Sequence, residues 1–300
     1  MKPKRIIDFH QHVFWHGRDD AGLVANLDEH GIDKAVVLTW EVGEQEAGPA
    51  SYYENVFNPV HAQPGRNHPG LPLADAVAAV RRHPDRFILG YCPHPAWPTA
   101  IGRLESAIRM HRVRVCGEWK FRILLDDPAC VELFRFCGRQ KLPVVVHIDV
   151  PWRPEGEPDN VVYCKEWYGG TVDNLARAMD ACPETVFLGH GPGFWREVSG
   201  DAAREVGAYP AGPVAKGGKL LEVLDAYPRL HGDLSANSCL NALKRDPKFG
   251  RAFLLKYHRR LLFARDDYNG NLHAHLQSLR LPRNVLENIR RRNAERLLGM

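Results

Sequence analysis

The chain is read as a distorted (β/α)8 barrel with long loops over the C-terminal face of its strands. Three observations predict this. Eight short apolar segments recur along the 300 residues, each separated from the next by a stretch of helical periodicity. The segments carry little polar alternation until their last residues, as strands buried on both faces should. The connections are unequal. Those from helix to strand are trimmed, and several from strand to helix are long, which is how a barrel builds a site at one end.

The strand segments are Arg5–His10, Lys34–Thr39, Arg86–Cys92, Val113–Phe121, Leu142–Asp149, Thr185–His190, Arg229–Leu234 and Arg260–Asp266. Val113–Phe121 and Arg229–Leu234 carry the weakest strand pattern of them. Helical spacing covers Asp19–His30, Leu73–His83, Thr99–Arg112, Ala129–Gln140, Val172–Ala181, Lys219–Ala226, Phe249–His258 and a closing Arg283–Leu298. The repeated strand–helix unit implies parallel pairing with right-handed crossovers, in one domain spanning residues 1–300. A doubly wound open sheet is the alternative, but no Gly-x-Gly-x-x-Gly follows any strand segment. The short connectors include Gly31-Ile32-Asp33, Pro84-Asp85 and Tyr227-Pro228. The long ones run from Trp40 to Pro72, with Tyr52, Tyr53 and Phe57, from Pro151 to Gly170, and from Gly191 to Gly218.

Composition narrows the function. A net charge of +4 is small, and the basic run Arg290-Arg291-Arg292 reads as the solvated face of the last helix. No basic stripe with interleaved aromatics suggests nucleic acid, and no apolar run approaches a membrane span. The seven cysteines, Cys164 among them, are scattered without a Cys-x-x-Cys pair, which fits a reducing cytosol better than a disulfide framework. Lys2, Lys4 and Arg5 precede an apolar run broken by Asp8 and His10, unlike a secretory signal. A cytoplasmic enzyme with a small-molecule substrate, assembled as a homo-oligomer such as a dimer, is expected.

The chemistry sits at the strand ends. Ile6-Ile7-Asp8-Phe9-His10-Gln11-His12 opens the chain, and in a strand His10 and His12 project from one face. Asp8 would share that face one step deeper and serve as an acceptor that orients a ligand. His273-Ala274-His275 has the same spacing but lies in a helical stretch, where positions two apart do not share a face. Later strands end in Glu118 and Lys120, His147, His190, Asp233, and Asp266 with Asp267. Charged and imidazole groups are costly to bury unless paired or metal-bound, so their convergence at one mouth points to a divalent cation. Imidazoles plus a carboxylate with an open position make a catalytic site, where bound water has its pKa lowered to about 7. Asp266 could take the water's proton or ligate directly, and His190 could be a general acid or base. Glu118 and Lys120 could form a plain salt bridge, or one of them could face the metal or an anionic substrate. Arg18, Arg122, Arg153 and Arg265 are basic groups near the mouth, suited to an anionic substrate or to surface pairing.

Ile7-Asp8-Phe9-His10-Gln11-His12, His147, His190, Leu262-Phe263-Ala264-Arg265-Asp266 and the closing Asn293-Ala294-Glu295-Arg296-Leu297-Leu298 together resemble the amidohydrolase superfamily. The nearest branch is the one that includes aminocarboxymuconate-semialdehyde decarboxylase. The resemblance spans essentially the whole chain. It implies a distorted barrel with one or two divalent metals, zinc foremost, with manganese or iron as alternatives. It also implies His10, His12, His147 and Asp266 as ligands and His190 as the catalytic histidine. Glu118 and Lys120 stand where other branches place a carboxylated lysine or a bridging glutamate. The chain departs from the branch at strand eight, where Arg265 precedes the aspartate and Asp267 follows it, so the ligand could be either aspartate. The expected activity is a metal-dependent hydrolase acting on a small carboxylated or cyclic substrate. A non-oxidative decarboxylase and a catalytically silent binding module are the alternatives.

Overall fold

The computed structural model describes residues 6–43, 56–63, 65–150, 152–155, 157–163, 168–202 and 207–300. Tyr52, Tyr53, Cys164 and the side chain of Arg153 lie outside the described residues. All eight expected strands form, each shorter than its apolar segment. One parallel arc holds β1 (Ile7–Gln11), β2 (Lys34–Val37) and β3 (Phe87–Leu89). The other holds β4 (Cys116–Trp119), β5 (Val144–His147), β6 (Phe187–His190), β7 (Leu230–Asp233) and β8 (Leu261–Leu262). Two seams join the arcs into a closed barrel. At one, Arg114 N donates to Leu89 O and Tyr91 N to Val115 O, both at 2.9 Å. At the other, Phe9 N donates to Phe263 O at 2.9 Å and Asp266 N to His10 O at 3.0 Å.

Alternation along the strands sorts the core into two shells. Ile7, Phe9, Val36, Leu38, Val115, Val145, Leu188, Leu262 and Ala264 fill the barrel, and Ala294 and Leu298 of the last helix pack against them. Cys116, Val144, Val146 and Phe187 point outward to the helices, meeting Leu133, Phe134 and Cys137 of helix Pro128–Arg139.

Two strands break this alternation. Asp8 of β1 pairs with Ala35 of β2 and Gln11 with Val37, so three steps on β1 match two on β2. Cys116 of β4 pairs with Val144 and Trp119 with Val146, again three steps against two. Each is a β-bulge, a device that re-aims side chains near functional sites. In β1 the extra residue lets Phe9 and His10 both face inward while Asp8 and Gln11 stay outside. In β4 it turns Glu118 inward while Trp119 stays in the outer shell. Gly117 is needed there, because a Cβ at this position would lie 2.9 Å from Val145 Cβ.

The expected helices form within one or two residues of their predicted ends. The exception is Arg283–Leu298, which divides into α-helix Arg283–Glu287, a π-helical turn Asn288–Arg292 and α-helix Asn293–Leu298. The Ile289 carbonyl accepts from Phe263 N at 2.8 Å, so the widened turn coincides with a helix carbonyl used by the strand. Helix Ala236–Lys244 was not anticipated, because Asn237, Ser238 and Asn241 depress helix propensity. Its buried Cys239, Ala242 and Leu243 supply the missing stabilisation. Two long connections contain antiparallel pairs, Trp40–Glu41 with Gly70–Leu71 and Trp152–Glu155 with Glu157–Tyr163. Among the described residues no helix is long and apolar enough to cross a membrane.

Candidate metal centre

Five strands deliver six candidate donors to one cluster at the C-terminal end of the barrel. His10 and His12 come from β1 with their Nε2 atoms 3.3 Å apart. Asp266 follows β8, with its Oδ1 3.4 Å from His12 Nε2 and 3.7 Å from His10 Nε2. Glu118 from β4 stands between two pairs of imidazoles. Its Oε2 lies 3.6 Å from His12 Nε2 and 4.0 Å from His10 Nε2. Its Oε1 lies 2.8 Å from His147 Nδ1 and 3.7 Å from His190 Nε2. The second Asp266 oxygen, Oδ2, is 3.5 Å from His190 Nε2. Within 4.8 Å, His147 groups with Glu118 and His190, while His10 groups with His12 and Glu118, and with His190 and Asp266.

A neighbouring group holds each ring of the opening pair and of His190. The Leu38 carbonyl accepts from His12 Nδ1 at 2.9 Å, and Asp233 Oδ2 accepts from His10 Nδ1 at 2.7 Å. The proton is thereby placed on Nδ1, and the Nε2 lone pairs are left toward the centre. Ser235 Oγ is hydrogen-bonded to His190 Nδ1 at 2.7 Å, while Ser235 N donates to Asp233 Oδ1 at 3.0 Å. Asp233 and Ser235, two residues apart where β7 ends, therefore align imidazoles from two different strands.

Without a cation this centre demands positive charge. Burial works against a charged His10, but Asp233, Asp266 and Glu118 outweigh it and push His10 up to about 10. Burial likewise opposes ionisation of Asp266 and Glu118. Even so, His10, His12 and His190 hold Asp266 well below the usual carboxylate range, and Lys120, His147 and His10 do the same for Glu118. His190 is lowered by burial and by His10, against the pull of Asp266. Asp266 Oδ1 and His147 Nε2 are buried without a hydrogen-bond partner among the described residues. Donors about 2.0–2.2 Å from one divalent ion must lie roughly 3–3.6 Å apart, which the contacts of His10, His12 and Asp266 approach. The mixed imidazole and carboxylate set suits zinc, manganese or iron. A cation would satisfy the orphaned oxygen and replace the proton that the carboxylates force onto His10.

Several sequence expectations are corrected. Asp8 does not orient His10 through its ring. The bulge in β1 sends it outside, where Oδ2 accepts from Arg265 Nε at 2.6 Å and from Gln11 Nε2 at 2.9 Å. Asp233 takes the orienting role instead. Arg265 is accordingly tied into the barrel wall as the partner of Asp8, both fully buried, and does not face the centre. Asp267 closes a turn, accepting from Asn269 N at 3.0 Å and Asn269 Nδ2 at 2.7 Å, while Asp266 faces the imidazoles. Asp266 adopts φ +52°, a left-handed conformation that Asp tolerates better than most residues. Among the described residues no carboxylate lies within 4.0 Å of the Lys120 ammonium, so the plain Glu118–Lys120 salt bridge does not form. Ser235 was missed. Its only trace in the sequence is its spacing of two from Asp233 at a strand end.

No family model matches the chain, and no curated protein matches it. Solved structures share its fold. A 2,6-dihydroxybenzoate decarboxylase from Rhizobium superposes with a TM-score of 0.60 at 15% identity, covering 100% of this chain and 99% of its own. A dihydroxybenzoic acid decarboxylase from Polaromonas, solved with manganese and 2-nitroresorcinol, gives 0.58 at 14% identity over 99% of this chain and 97% of its own. A probable 2-pyrone-4,6-dicarboxylic acid hydrolase from Acinetobacter baumannii, solved with citric acid, gives 0.57 at 14% identity over 98% of this chain and 99% of its own. The barrel expected from the sequence is the fold of these proteins.

Proposed function

We propose that the chain is a divalent-metal-dependent hydrolase of the amidohydrolase type, acting on a small carboxylated or cyclic substrate. The observation that carries this reading is the position of Glu118, one oxygen toward His10 and His12 and the other toward His147 and His190. A carboxylate so placed can serve one cation held by His10, His12 and Asp266, and a second held by His147 and His190. Zinc is the first candidate. The manganese in the Polaromonas neighbour makes that ion the next to test. A bound divalent ion would supply a Lewis acid and a water acidic enough to ionise near neutral pH.

The residues of the chain do the rest. Asp266 is ionised at neutral pH; with Oδ1 given to the cation, its Oδ2 is the oxygen to accept the water's proton. His190, 3.5 Å from that oxygen and kept neutral by burial, can pass the proton to the leaving atom. Ser235 holds its ring in the required orientation. The centre lies at the mouth of a closed barrel, where Tyr168 stands beside His147 and Trp40 beside Tyr168.

Decarboxylation is the second reading. The His190–Asp266 pair would then protonate a ring carbon, and two of the three structural neighbours described above are named as decarboxylases. A silent binding module would have little use for orphaned donors that converge on one point. Assay of the zinc- and manganese-loaded protein over aromatic acids, lactones and amides separates these readings. Acid release supports the hydrolase and carbon dioxide release the decarboxylase. A chain that retains no metal and turns over nothing would overturn both.

A further inference from the structure

The geometry points to Lys120 as the residue that recognises a second anionic group on the substrate, apart from the group that meets the metal centre. This rests on the metal-centre reading above. Lys120 lies two residues past Glu118, beyond the bulge in β4. Its ammonium sits 4.1 Å from the centroid of the Trp40 ring and 5.6 Å from that of Tyr168. Trp40 is fixed there, because its Nε1 donates to the Lys120 carbonyl at 3.1 Å. Tyr168 stands 6.1 Å from the His147 ring and 6.4 Å from Trp40, so the aromatic walls around the lysine border the metal centre directly.

The cation has aromatic faces, while the carboxylates that act on it, Glu118, Asp149 and Asp266, do so without ion-pair contact. Among the described residues no carboxylate comes within 4.0 Å of Lys120 Nζ, and both oxygens of Glu118 face imidazoles. Withdrawing an ammonium from water is costly, and a cation–π contact offsets only part of that cost. A carboxylate or similar small oxyanion would complete the site and be held by a charge-assisted hydrogen bond in a partly buried setting. The competing account is that Lys120 acts through space, balancing the charge of Glu118 without touching substrate. The two accounts differ in one respect. Recognition depends on the charge of the ligand, whereas balance depends on the metal centre alone.

The test uses the full chain loaded with zinc, its metal content measured by mass spectrometry. Calorimetric titrations compare benzoate with isophthalate and butyrate with glutarate. In at least one pair the native protein should bind the dicarboxylate about tenfold tighter or better, the range expected for a hydrogen bond between charged groups. In Lys120→Gln the ratio should fall to about one, with monocarboxylate affinity and metal content within threefold of native. Lys120→Met, which keeps the stem length against Trp40, should behave alike and serves if the first variant does not fold. The proposal is overturned if the native protein prefers the dicarboxylate in neither pair, or if the preference survives in the variants. It is also overturned if the variants lose metal or weaken both ligands equally. Failure of the metal-centre reading shows separately, as native protein that retains no zinc.

Discussion

The chain contains two His-x-His pairs with the same spacing and opposite fates. His10 lies on β1 and His12 just past its end, with their Nε2 atoms 3.3 Å apart, among three carboxylates. His273 and His275 lie on helix Asn271–Ser278. There His273 Nε2 meets Gln277 Nε2 at 2.8 Å one turn on, and His275 Nε2 has no hydrogen-bond partner among the described residues. Burial and nearby cations lower both of the helical histidines, while carboxylates push His10 up to about 10. A spacing of two brings donors together only where the backbone repeats every two residues. On a helix the same step turns the second ring through roughly 200°.

Removing a ring from each pair gives the largest expected contrast. His10→Ala or His12→Ala should lower zinc affinity about a hundredfold or more, read by chelator competition, since each supplies a donor directly. His273→Ala and His275→Ala should leave metal content unchanged. Metal loss in the helical variants instead would invert the comparison.

The two aspartates after β8 sharpen it next. Asp266→Asn should cut kcat by about a thousandfold, the scale of a lost general base. Asp267→Asn should retain metal. Burial pushes the Asp267 carboxyl up to about 6, above its unfolded value, so its ionisation costs stability as pH rises through that range. The asparagine variant should therefore melt about 2 °C higher at pH 8 and no higher at pH 4.

A smaller effect is expected from the groups behind the rings. Asp233→Asn and Ser235→Ala should each weaken zinc binding about ten- to hundredfold while the fold is kept. Asp8→Asn should disturb thermal stability through Arg265 more than metal affinity, because Asp8 contacts neither imidazole ring.

The last contrast is in pH. Zinc must displace the His10 proton, so its affinity should rise about tenfold per pH unit from pH 7 to 9. The metal-free protein should show the reverse trend in stability. His10 is raised from 6.5 to about 10, so its contribution is full below about pH 6.5 and is lost as pH climbs toward 10. Melting curves of chelated and zinc-loaded protein over that window should diverge.

Periodicity explains what was legible. Apolar runs such as Val144-Val145-Val146-His147 and Phe187-Leu188-Gly189-His190 announce both a strand and a group at its end, so the barrel and most of the side chains gathered at its mouth follow from the sequence. Strict alternation cannot reveal a bulge. The inward turn of Glu118 and the outward turn of Asp8 each depend on one extra residue whose register is set by the neighbouring strand. Arg265 looked out of place beside a ligand for the same reason, since its partner Asp8 is assigned to the wrong face when the bulge is ignored. Ser235 was illegible because a serine after a strand has many uses, and only the approach of β6 to β7 gives it His190 as a partner.

The central claim is that residues from five strands converge on one metal centre. Anomalous scattering from crystals grown with zinc tests it most directly. The account predicts a peak within bonding distance of His10, His12 and Asp266, with Glu118 beside it. A map with no peak there, or with its zinc at His273 and His275, would contradict it.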